Sequence, residues 1–274
     1  MSFFRAEAVT AGYGKTKVLE DISFSLERGS LVGILGANGS GKTTLLKSIC
    51  GILPHSGTCL LEGTALEALS ARQLARRVSY IPQRSGITID ISVLDVVLMG
   101  FNPRLGLLQH PSRAMKALAV QTLDQVGLGG KAQSNYLHLS EGQKQLCILA
   151  RTLVADCALL LMDEPESALD FRFRHRMLEL LRSWIREKQV GALVTLHDPM
   201  LALNYCDKLL LLSNSALIGE LRPREQSLEE MEGMLANVYG PVTLLRSQNR
   251  SGKEKIVMLM EEHHESHNEN HISG

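Results

Sequence analysis

The segment GANGSGKT, residues 36–43, has the spacing G-x-x-x-x-G-K-[ST], a combination of residue types that can surround a phosphate group. Glycines allow the backbone to wrap closely, so that consecutive N–H groups point at phosphate oxygens. Lys42 can reach the β- and γ-phosphates of a nucleotide, and the Thr43 hydroxyl can bind Mg²⁺. The residues predicted to bind nucleotide in this segment are Gly36, Asn38, Gly39, Ser40, Gly41, Lys42, Thr43 and Thr44.

Two carboxylates, Asp163 and Glu164, end the apolar run LLLMDEP much further along the chain. A parallel strand delivers its C-terminal end to the ligand crevice of an α/β sheet. Asp163 can therefore hold the Mg²⁺ shell, and Glu164 can orient or deprotonate the attacking water. Solvated loop acids are common, so this pair becomes significant only because a phosphate loop precedes it.

Two further polar side chains, His197 and Gln83, end the apolar runs VTLHD and SYIPQ. Each run reads as a strand, so both side chains are expected near the same edge of the sheet. We predict that His197 contacts the γ-phosphate and that Gln83 coordinates Mg²⁺ or the attacking water. Taken alone, either residue is equally compatible with a structural role.

The segment LSEGQ, residues 139–143, contains a helix start. Ser140 and Gln143 fit the S-x-x-[EQ] capping box, which places the first helical residue at Glu141. The unpaired N–H groups of a first helical turn attract an anion. Because the chain already has a phosphate loop, a second phosphate-directed helix suggests a nucleotide shared by two chains, each closing the site of the other.

Short apolar runs typical of strands alternate with helical patterns, which predicts an α/β domain. The clearest predicted strands are residues 31–35, 78–81, 158–162, 192–196 and 208–212. Between about 83 and 155 helical spacing replaces the strand pattern and indicates a mainly helical insertion. Two more short strands are predicted within 238–247 and 254–262, ahead of a polar tail that we expect to be disordered.

The composition excludes several classes of protein. Lysine plus arginine and aspartate plus glutamate both number 29, and a zero net charge argues against a nucleic-acid partner. The five dispersed cysteines suggest neither a disulfide framework nor a zinc knuckle, and they favour a reducing compartment. The start lacks the apolar region of a signal peptide, and no apolar run is long enough for a bilayer, so a membrane role is expected to come through a partner.

The motif order GANGSGKTT, PQ, LSEGQ, LLLMDEP, SALD and LHD resembles the ATPase subunit of an ATP-binding cassette (ABC) transporter over residues 3–240. This resemblance implies a head-to-tail dimer that holds two ATP molecules, with Mg²⁺, at its interface. Ser140, Gly142 and Gln143 would act on the γ-phosphate held by the partner's Lys42.

Two other site residues come from the same resemblance. Asp170, in SALD, resembles the residue through which one site senses the other, and Tyr13, in AGYG, resembles the aromatic ring that stacks on adenine. The segment around Gln83 and the helices after it resemble the surface that docks a permease. The implied location is therefore peripheral, at the cytoplasmic face of the cell membrane.

The resemblance also implies a fold and a division of the chain. The expected fold is a P-loop NTPase core with a RecA-like mixed sheet, an antiparallel β subdomain and an inserted α-helical subdomain. We expect the ATPase domain to span residues 1–240, with the helical subdomain at about 86–156. A C-terminal extension, 241–274, would end in the His- and Glu-rich tail, which is either a solvated segment or a metal-binding appendage.

The segments LARRVSYIPQ and DVVLMGFNPRLGLLQHPS resemble the subfamily that serves importers of iron–siderophore, haem and cobalamin. Such transporters pair two ATPases with two polytopic permease subunits and an external binding protein. The alternatives are the ATPase of a zinc or manganese importer and a soluble ABC ATPase of translation or DNA repair. An exporter component is disfavoured because no membrane helices are fused to the cassette.

Two residues depart from the family pattern, Glu141 in place of the usual glycine and Glu166 in place of the usual threonine or asparagine. At a first helical turn Glu141 interacts favourably with the helix dipole. We hypothesise that its side chain turns away from the phosphate and tunes turnover. Glu166 lies close enough in sequence to Glu164 to bear on the pKa of that carboxylate.

Overall fold

The computed structural model describes residues 2–83, 86–106 and 108–261. Its strands are β1 (Phe4–Tyr13), β2 (Thr16–Leu26), β3 (Leu31–Gly36), β4 (His55–Leu61), β5 (Thr64–Ala65), β6 (Val78–Ile81), β7 (Leu159–Asp163), β8 (Gly191–Thr195), β9 (Lys208–Ser213), β10 (Ala216–Leu221), β11 (Val242–Gln248) and β12 (Glu254–Met260). Its helices are α1 (Lys42–Ile49), α2 (Ala71–Arg77), α3 (Val93–Leu98), α4 (Arg113–Gln125), α5 (Glu141–Ala155), α6 (Phe171–Lys188), α7 (Pro199–Tyr205) and α8 (Leu228–Tyr239).

A six-stranded sheet in the order β10-β9-β3-β8-β7-β6 forms the centre of the molecule. The pairs from β9 to β6 are parallel, and β10 runs antiparallel to β9. A separate antiparallel sheet has the order β2-β1-β4-β5. The predicted fold, a mixed sheet with an antiparallel β sheet and inserted helices, is confirmed.

The central sheet is covered on both faces, because successive side chains of a strand point to opposite sides. On β3, Leu31 and Leu35 pack with the apolar faces of α3 to α8. Val32 and Ile34, from the alternate positions, pack against α1 and the antiparallel sheet. This double burial explains why the strands read as continuous apolar runs in the sequence.

The insertion between neighbouring strands β6 and β7 is helical, as its spacing predicts. It contains α3, α4 and α5, and short 3₁₀ turns connect them. Serine side chains cap these starts: Ser92 accepts from the Asp95 N–H, and Ser112 accepts from the Met115 N–H. The subdomain boundaries themselves remain a prediction.

Four of the five clearest predicted strands end one residue away from the prediction, with β3, β7 and β9 ending one residue later and β8 one residue earlier. Strand β7 includes Asp163, which pairs with Thr195 of β8. A carboxylate is tolerated in a buried strand here because hydroxyl groups from two other elements bond it, as described below. The two predicted C-terminal strands correspond to β11 and β12, which pair as an antiparallel hairpin with Gln248 opposite Glu254. The polar tail from residue 262 onward lies outside the described residues.

No helix in the described ranges is both long enough and apolar enough to cross a membrane.

Candidate functional site: a phosphate loop and three strand ends

The phosphate loop joins β3 to α1 and lines a cavity of about 230 Å³. Gly39 and Gly41 have φ values of 81° and 99°, which L side chains rarely adopt. Gly41 is also the N-cap of α1, so the first turn has no side-chain cap and its N–H groups face the loop. Ser40, which lines the cavity, has a buried hydroxyl without a hydrogen-bond partner among the described residues. Open N–H groups and an orphaned hydroxyl fit a phosphate ligand.

Lys42, the first residue of α1, is buried within this loop. Its Nζ donates to the carbonyl oxygens of Gly36 at 2.8 Å and Ala37 at 3.1 Å. Burial lowers the pKa of Lys42, and the nearby Glu164 and Asp163 carboxylates oppose that shift. The loop therefore holds a cation between two acids and the phosphate-binding backbone.

Asp163 connects α1 to two strands of the central sheet. Its Oδ1 accepts hydrogen bonds from the Thr43 hydroxyl at 3.0 Å and from the Thr195 hydroxyl at 2.9 Å. Its Oδ2 accepts from the Tyr80 hydroxyl at 3.4 Å. Burial, together with the Asp163 charge, raises the pKa of Tyr80, so the phenol remains a donor at neutral pH. Hydroxyl and carboxylate oxygens of this kind are the ligands Mg²⁺ prefers.

Gln83, His197 and Glu164 meet at a single carboxylate oxygen. His197 Nε2 lies 2.7 Å from Glu164 Oε2, and Gln83 Nε2 donates to the same oxygen. Glu164 has a φ of 48°, and its N–H donates to the Thr195 hydroxyl at 2.9 Å. A non-glycine residue in the left-handed backbone conformation costs roughly 1–3 kcal/mol, and such residues are concentrated at functional sites. Three side chains from separate strand ends thus converge beside the phosphate loop.

Glu166 is buried next to this cluster, with only 2 % of its surface exposed. Its Oε1 accepts a hydrogen bond from the His197 backbone N–H at 3.2 Å. Its Oε2 is buried and has no hydrogen-bond partner in the described part of the chain. Burial raises the pKa of Glu166 to about 6, with a smaller contribution from Glu164 in the same direction. The unusual residue at this position therefore tethers the strand end that carries His197.

The helix start at Ser140 has both hydrogen bonds of the predicted capping box. The Ser140 hydroxyl accepts from the Gln143 N–H at 3.3 Å, and Gln143 Oε1 accepts from the Ser140 N–H at 3.2 Å. The Glu141 carboxylate, 75 % exposed, lies 2.7 Å from Lys144 Nζ. Within the described ranges, neither a hydrogen bond nor an ion pair joins residues 140–143 to the phosphate loop of the same chain.

Among the described residues, no hydrogen bond or ion pair joins Asp170 or Tyr13 to the phosphate loop. The Asp170 side chain caps α6 by accepting from the Phe173 N–H at 2.9 Å. A Cβ added to Gly142 would lie 3.1 Å from the Ala168 carbonyl oxygen, so the SALD segment packs against the start of α5. Tyr13 ends β1 with 51 % of its surface exposed.

This geometry can be compared with known proteins. Residues 19–167 match the family model described as ABC transporter. The chain belongs to the ABC transporter ATPase family. Members of this family bind ATP and hydrolyse it to power transport, so the predicted enzyme class is confirmed.

Two relatives of this ABC ATPase are informative. The hemin import ATP-binding protein HmuV of Bordetella pertussis is 39% identical over 253 residues, which cover 88% of this chain and 95% of HmuV. The manganese transport system ATP-binding protein MntB of Bacillus subtilis is 39% identical over 207 residues, covering 74% of this chain and 80% of MntB. A solved metal-chelate type ABC transporter in an inward-facing conformation has a TM-score of 0.79 at 26% identity, covering 95% of this chain and 98% of that one.

The sequence reasoning missed two residues of the ABC ATPase site, Thr195 and Tyr80. Thr195 bonds both Asp163 and the Glu164 N–H. A polar residue two positions before His197 in an otherwise apolar strand is the signal that could have identified it. Tyr80 precedes Gln83 in SYIPQ, but its bond to Asp163 depends on the pairing of β6 with β7, which no local pattern predicts.

Proposed function

We propose that this ABC ATPase powers uptake of a metal chelate, of the iron–siderophore, haem or cobalamin class, through a partner permease. The main observation behind this proposal is that the side chains of Gln83 and His197 both contact one carboxylate oxygen of Glu164 beside the phosphate loop. Such a cluster can position and activate a water molecule for ATP hydrolysis. The full-length similarity to a hemin import protein supports the substrate class. A manganese importer is the second candidate, because MntB has the same identity over a shorter stretch.

The phosphate loop and the strand ends have separate roles in the proposed reaction. Backbone N–H groups of residues 39–44 and the Lys42 ammonium bind the phosphates. Thr43, Asp163 and the Gln83 amide oxygen would hold Mg²⁺, which when bound neutralises charge on the phosphate oxygens. Glu164 orients and deprotonates the attacking water, and the exposed ring of His197 contacts the γ-phosphate.

A second copy of the chain completes each site. In the proposed head-to-tail dimer, Ser140, Gly142 and Gln143 approach the phosphates bound by the partner's Lys42, and Asp170 lies close to the same interface. The separation of residues 140–143 from their own phosphate loop supports this arrangement, as does a Ser140 hydroxyl that still has its proton to donate. Tyr13, exposed at the end of β1, stacks on adenine.

The permease docks on the segment around Gln83 and the following helices, which makes the chain peripheral at the cytoplasmic face of the membrane. A direct bond supports a coupling role for this segment, because Gln145 Nε2 of α5 donates to the Gln83 carbonyl oxygen at 2.5 Å. The proposed transporter has two permease subunits, and a displacement of Gln83 caused by the docked permease would be transmitted to α5 through this bond. An external binding protein would deliver the chelate on the other side.

The shared site is tested by mixing two inactive variants of the full-length chain. Lys42→Ala and Ser140→Ala should each lower ATP hydrolysis by about 10²- to 10³-fold as homodimers. A mixed dimer has one site with both Lys42 and Ser140 intact, so mixing should restore hydrolysis in proportion to the mixed fraction. If mixtures remain as inactive as their components, the site is not shared between chains.

The transport role is tested by recovering the native complex. The chain, tagged at its N-terminus, is extracted gently from membranes, and its partners are identified by mass spectrometry. A polytopic permease, with ATPase activity lost in Glu164→Gln, supports the importer, and uptake assays with iron chelates, haem, cobalamin and Mn²⁺ then distinguish the substrates. Recovery of ribosomal or repair proteins without a permease contradicts the transport role.

A further inference from the structure

A histidine, a cysteine and a glutamate meet in the antiparallel sheet, away from the nucleotide site. His55 begins β4, and Cys59 follows four residues later on the same face of that strand. Glu67 lies in the 3₁₀ turn Leu66–Ala68 that follows β5. His55 Nε2 is 3.0 Å from Glu67 Oε1 and 3.8 Å from Cys59 Sγ, and all three donor atoms lie within 4.8 Å of one another.

We propose that His55, Cys59 and Glu67 form a binding site for a Zn²⁺-like divalent metal ion. A tetrahedral ion with bonds of about 2.3 Å to sulfur and about 2.0–2.1 Å to nitrogen or oxygen separates N from S by about 3.6 Å and N from O by about 3.3 Å. The observed separations, 3.8 Å and 3.0 Å, differ from these values by only a few tenths of an ångström. Small side-chain rotations therefore suffice to close the site.

The surroundings of the cluster are those of a three-ligand site with one open position. Cys59 is fully buried, the His55 side chain is nearly so, and the Glu67 side chain is 33 % exposed. His55 and Glu67 line a cavity of about 500 Å³ that Cys50 also lines. A fourth ligand, either water or an incoming molecule, can reach the ion from this cavity.

Glu67 is already oriented for coordination. Its Oε1 accepts a hydrogen bond from the Cys59 backbone N–H at 2.7 Å as well as facing His55. The Glu67 carboxylate also lies within hydrogen-bonding reach of the Cys59 side chain, so it faces both of the other proposed ligands. A carboxylate fixed by the backbone of the neighbouring ligand resembles the supporting interactions that orient metal ligands in proteins.

The set of donors selects the class of metal. Thiolate and imidazole favour Zn²⁺ and its neighbours Co²⁺ and Ni²⁺ over Mg²⁺, Ca²⁺ and Mn²⁺, which prefer oxygen. The site is therefore independent of the Mg²⁺ proposed for the nucleotide site. Because the sulfur binds as a thiolate, metal binding releases the Cys59 proton.

Titration of the full-length chain with Co²⁺ in excess Mg²⁺ tests the site, because a thiolate ligand produces a cobalt charge-transfer absorption band. We expect one saturable equivalent that gives this band, and equimolar Zn²⁺ should remove it. The histidines of the C-terminal tail cannot produce the band, because residues 260–274 contain no cysteine. Absence of the band at millimolar Co²⁺ and neutral pH overturns the proposal.

Three variants identify the ligands. Cys59→Ser should abolish the band. Glu67→Gln should weaken Co²⁺ binding at least 10-fold. Glutamine is chosen because its amide oxygen can still accept hydrogen bonds from His55 and from the Cys59 N–H, so the local fold is retained. Cys50→Ser is the matched control, because Cys50 lines the same cavity without belonging to the cluster. A band that persists in Cys59→Ser, is lost in Cys50→Ser, or has unchanged affinity in Glu67→Gln contradicts the assignment.

Discussion

Two helix starts in this molecule, those of α1 and α5, are proposed here to contact phosphate, and they are built differently. The N-cap of α1 is Gly41, which has a left-handed conformation and no side chain to accept a hydrogen bond. The N–H groups of the first turn can therefore donate to a phosphate. The N-cap of α5 is Ser140, which together with Gln143 forms a complete capping box. At the first helix start no side chain bonds the N–H groups, whereas at the second the N–H groups of Ser140 and Gln143 are already bonded by each other's side chains.

The two helix starts also differ in the charged side chains of their first turns. The first turn of α1 contains Lys42 and no acidic residue. The first turn of α5 contains Glu141, paired with Lys144. A cation that approaches phosphate is therefore part of α1, while the start of α5 is locally neutral. We infer that α1 provides most of the nucleotide affinity and that α5 contributes mainly to the shared, closed site.

Replacing Lys42 tests the α1 half of this comparison and should have the largest effect. Lys42→Ala removes the only side-chain cation in the phosphate loop, and loss of one such electrostatic contact lowers kcat by up to about 10³-fold. We expect hydrolysis to fall by that order and ATP binding to the isolated chain to weaken. Lys47→Ala, on the last turn of the same helix, is the control and should leave both measurements unchanged. Normal ATP binding by Lys42→Ala would contradict the assignment of affinity to α1.

Replacing Ser140 tests the α5 half. Ser140→Ala should lower ATP hydrolysis by about 10²-fold, because one phosphate donor of the shared site is lost, while ATP binding to the isolated chain stays intact. Loss of the cap should also lower the free energy of unfolding by ~1 kcal/mol. Urea denaturation and steady-state hydrolysis measure the two effects.

The chain provides a matched control for the Ser140 prediction. Ser227 caps α8 with a capping box of the same kind, formed with Glu230. Ser227→Ala should therefore lower stability by a similar amount and leave hydrolysis unchanged. If both serine variants lose the same fraction of activity, the effect of Ser140→Ala is one of stability, and α5 has no role in the shared site.

Glu166 lies in the segment that connects Glu164 to the SALD stretch. The pKa of this carboxyl rises from its ordinary 4.5 to about 6, so the fold favours the neutral form. The resulting stabilisation is fully present below pH 4.5 and is lost as pH rises through about 6. The shift corresponds to about 2 kcal/mol in total.

Substitution of Glu166 should therefore change the pH dependence of stability. Relative to the original chain, Glu166→Gln should gain roughly 1 kcal/mol of unfolding free energy between pH 5 and pH 8, because most of the ionisation falls in that window. Denaturation at both pH values measures the difference. Glu187→Gln, on the exposed side of α6, is the control and should give the same difference at both pH values. A flat response in Glu166→Gln would mean that Glu166 titrates as an exposed residue.

The sequence predicted features formed by a few consecutive residues better than contacts between residues that are far apart in the chain. The phosphate loop, the capping box and the apolar strands are short-range features, and each corresponds to an element of the structure. The bonds that Thr195 and Tyr80 make to Asp163 depend on which strands become neighbours, and spacing within one strand does not contain that information. The His55, Cys59 and Glu67 cluster was missed for the same reason, since it requires the chain to fold back after β4.

Glu141 provides the smallest and sharpest test of the comparison. Its carboxylate pairs with Lys144 at the surface, and such a pair stabilises a helix by only ~0.3–0.5 kcal/mol. Glu141→Gln should therefore change the free energy of unfolding by less than about 1 kcal/mol, including the lost dipole interaction, and should leave hydrolysis within about threefold of the original. Glu141→Gly should give the same rate of hydrolysis with a slightly less stable helix.

The opposite orientation of Glu141 predicts a different result. A carboxylate facing the partner's phosphate at ~4 Å would oppose binding by about 4 kcal/mol at an effective dielectric of ~20, so its removal would accelerate hydrolysis by far more than tenfold. Steady-state hydrolysis of both variants decides between these orientations: near-normal rates mean that the start of α5 is electrically neutral toward the shared site, and a large acceleration means that Glu141 restrains the enzyme.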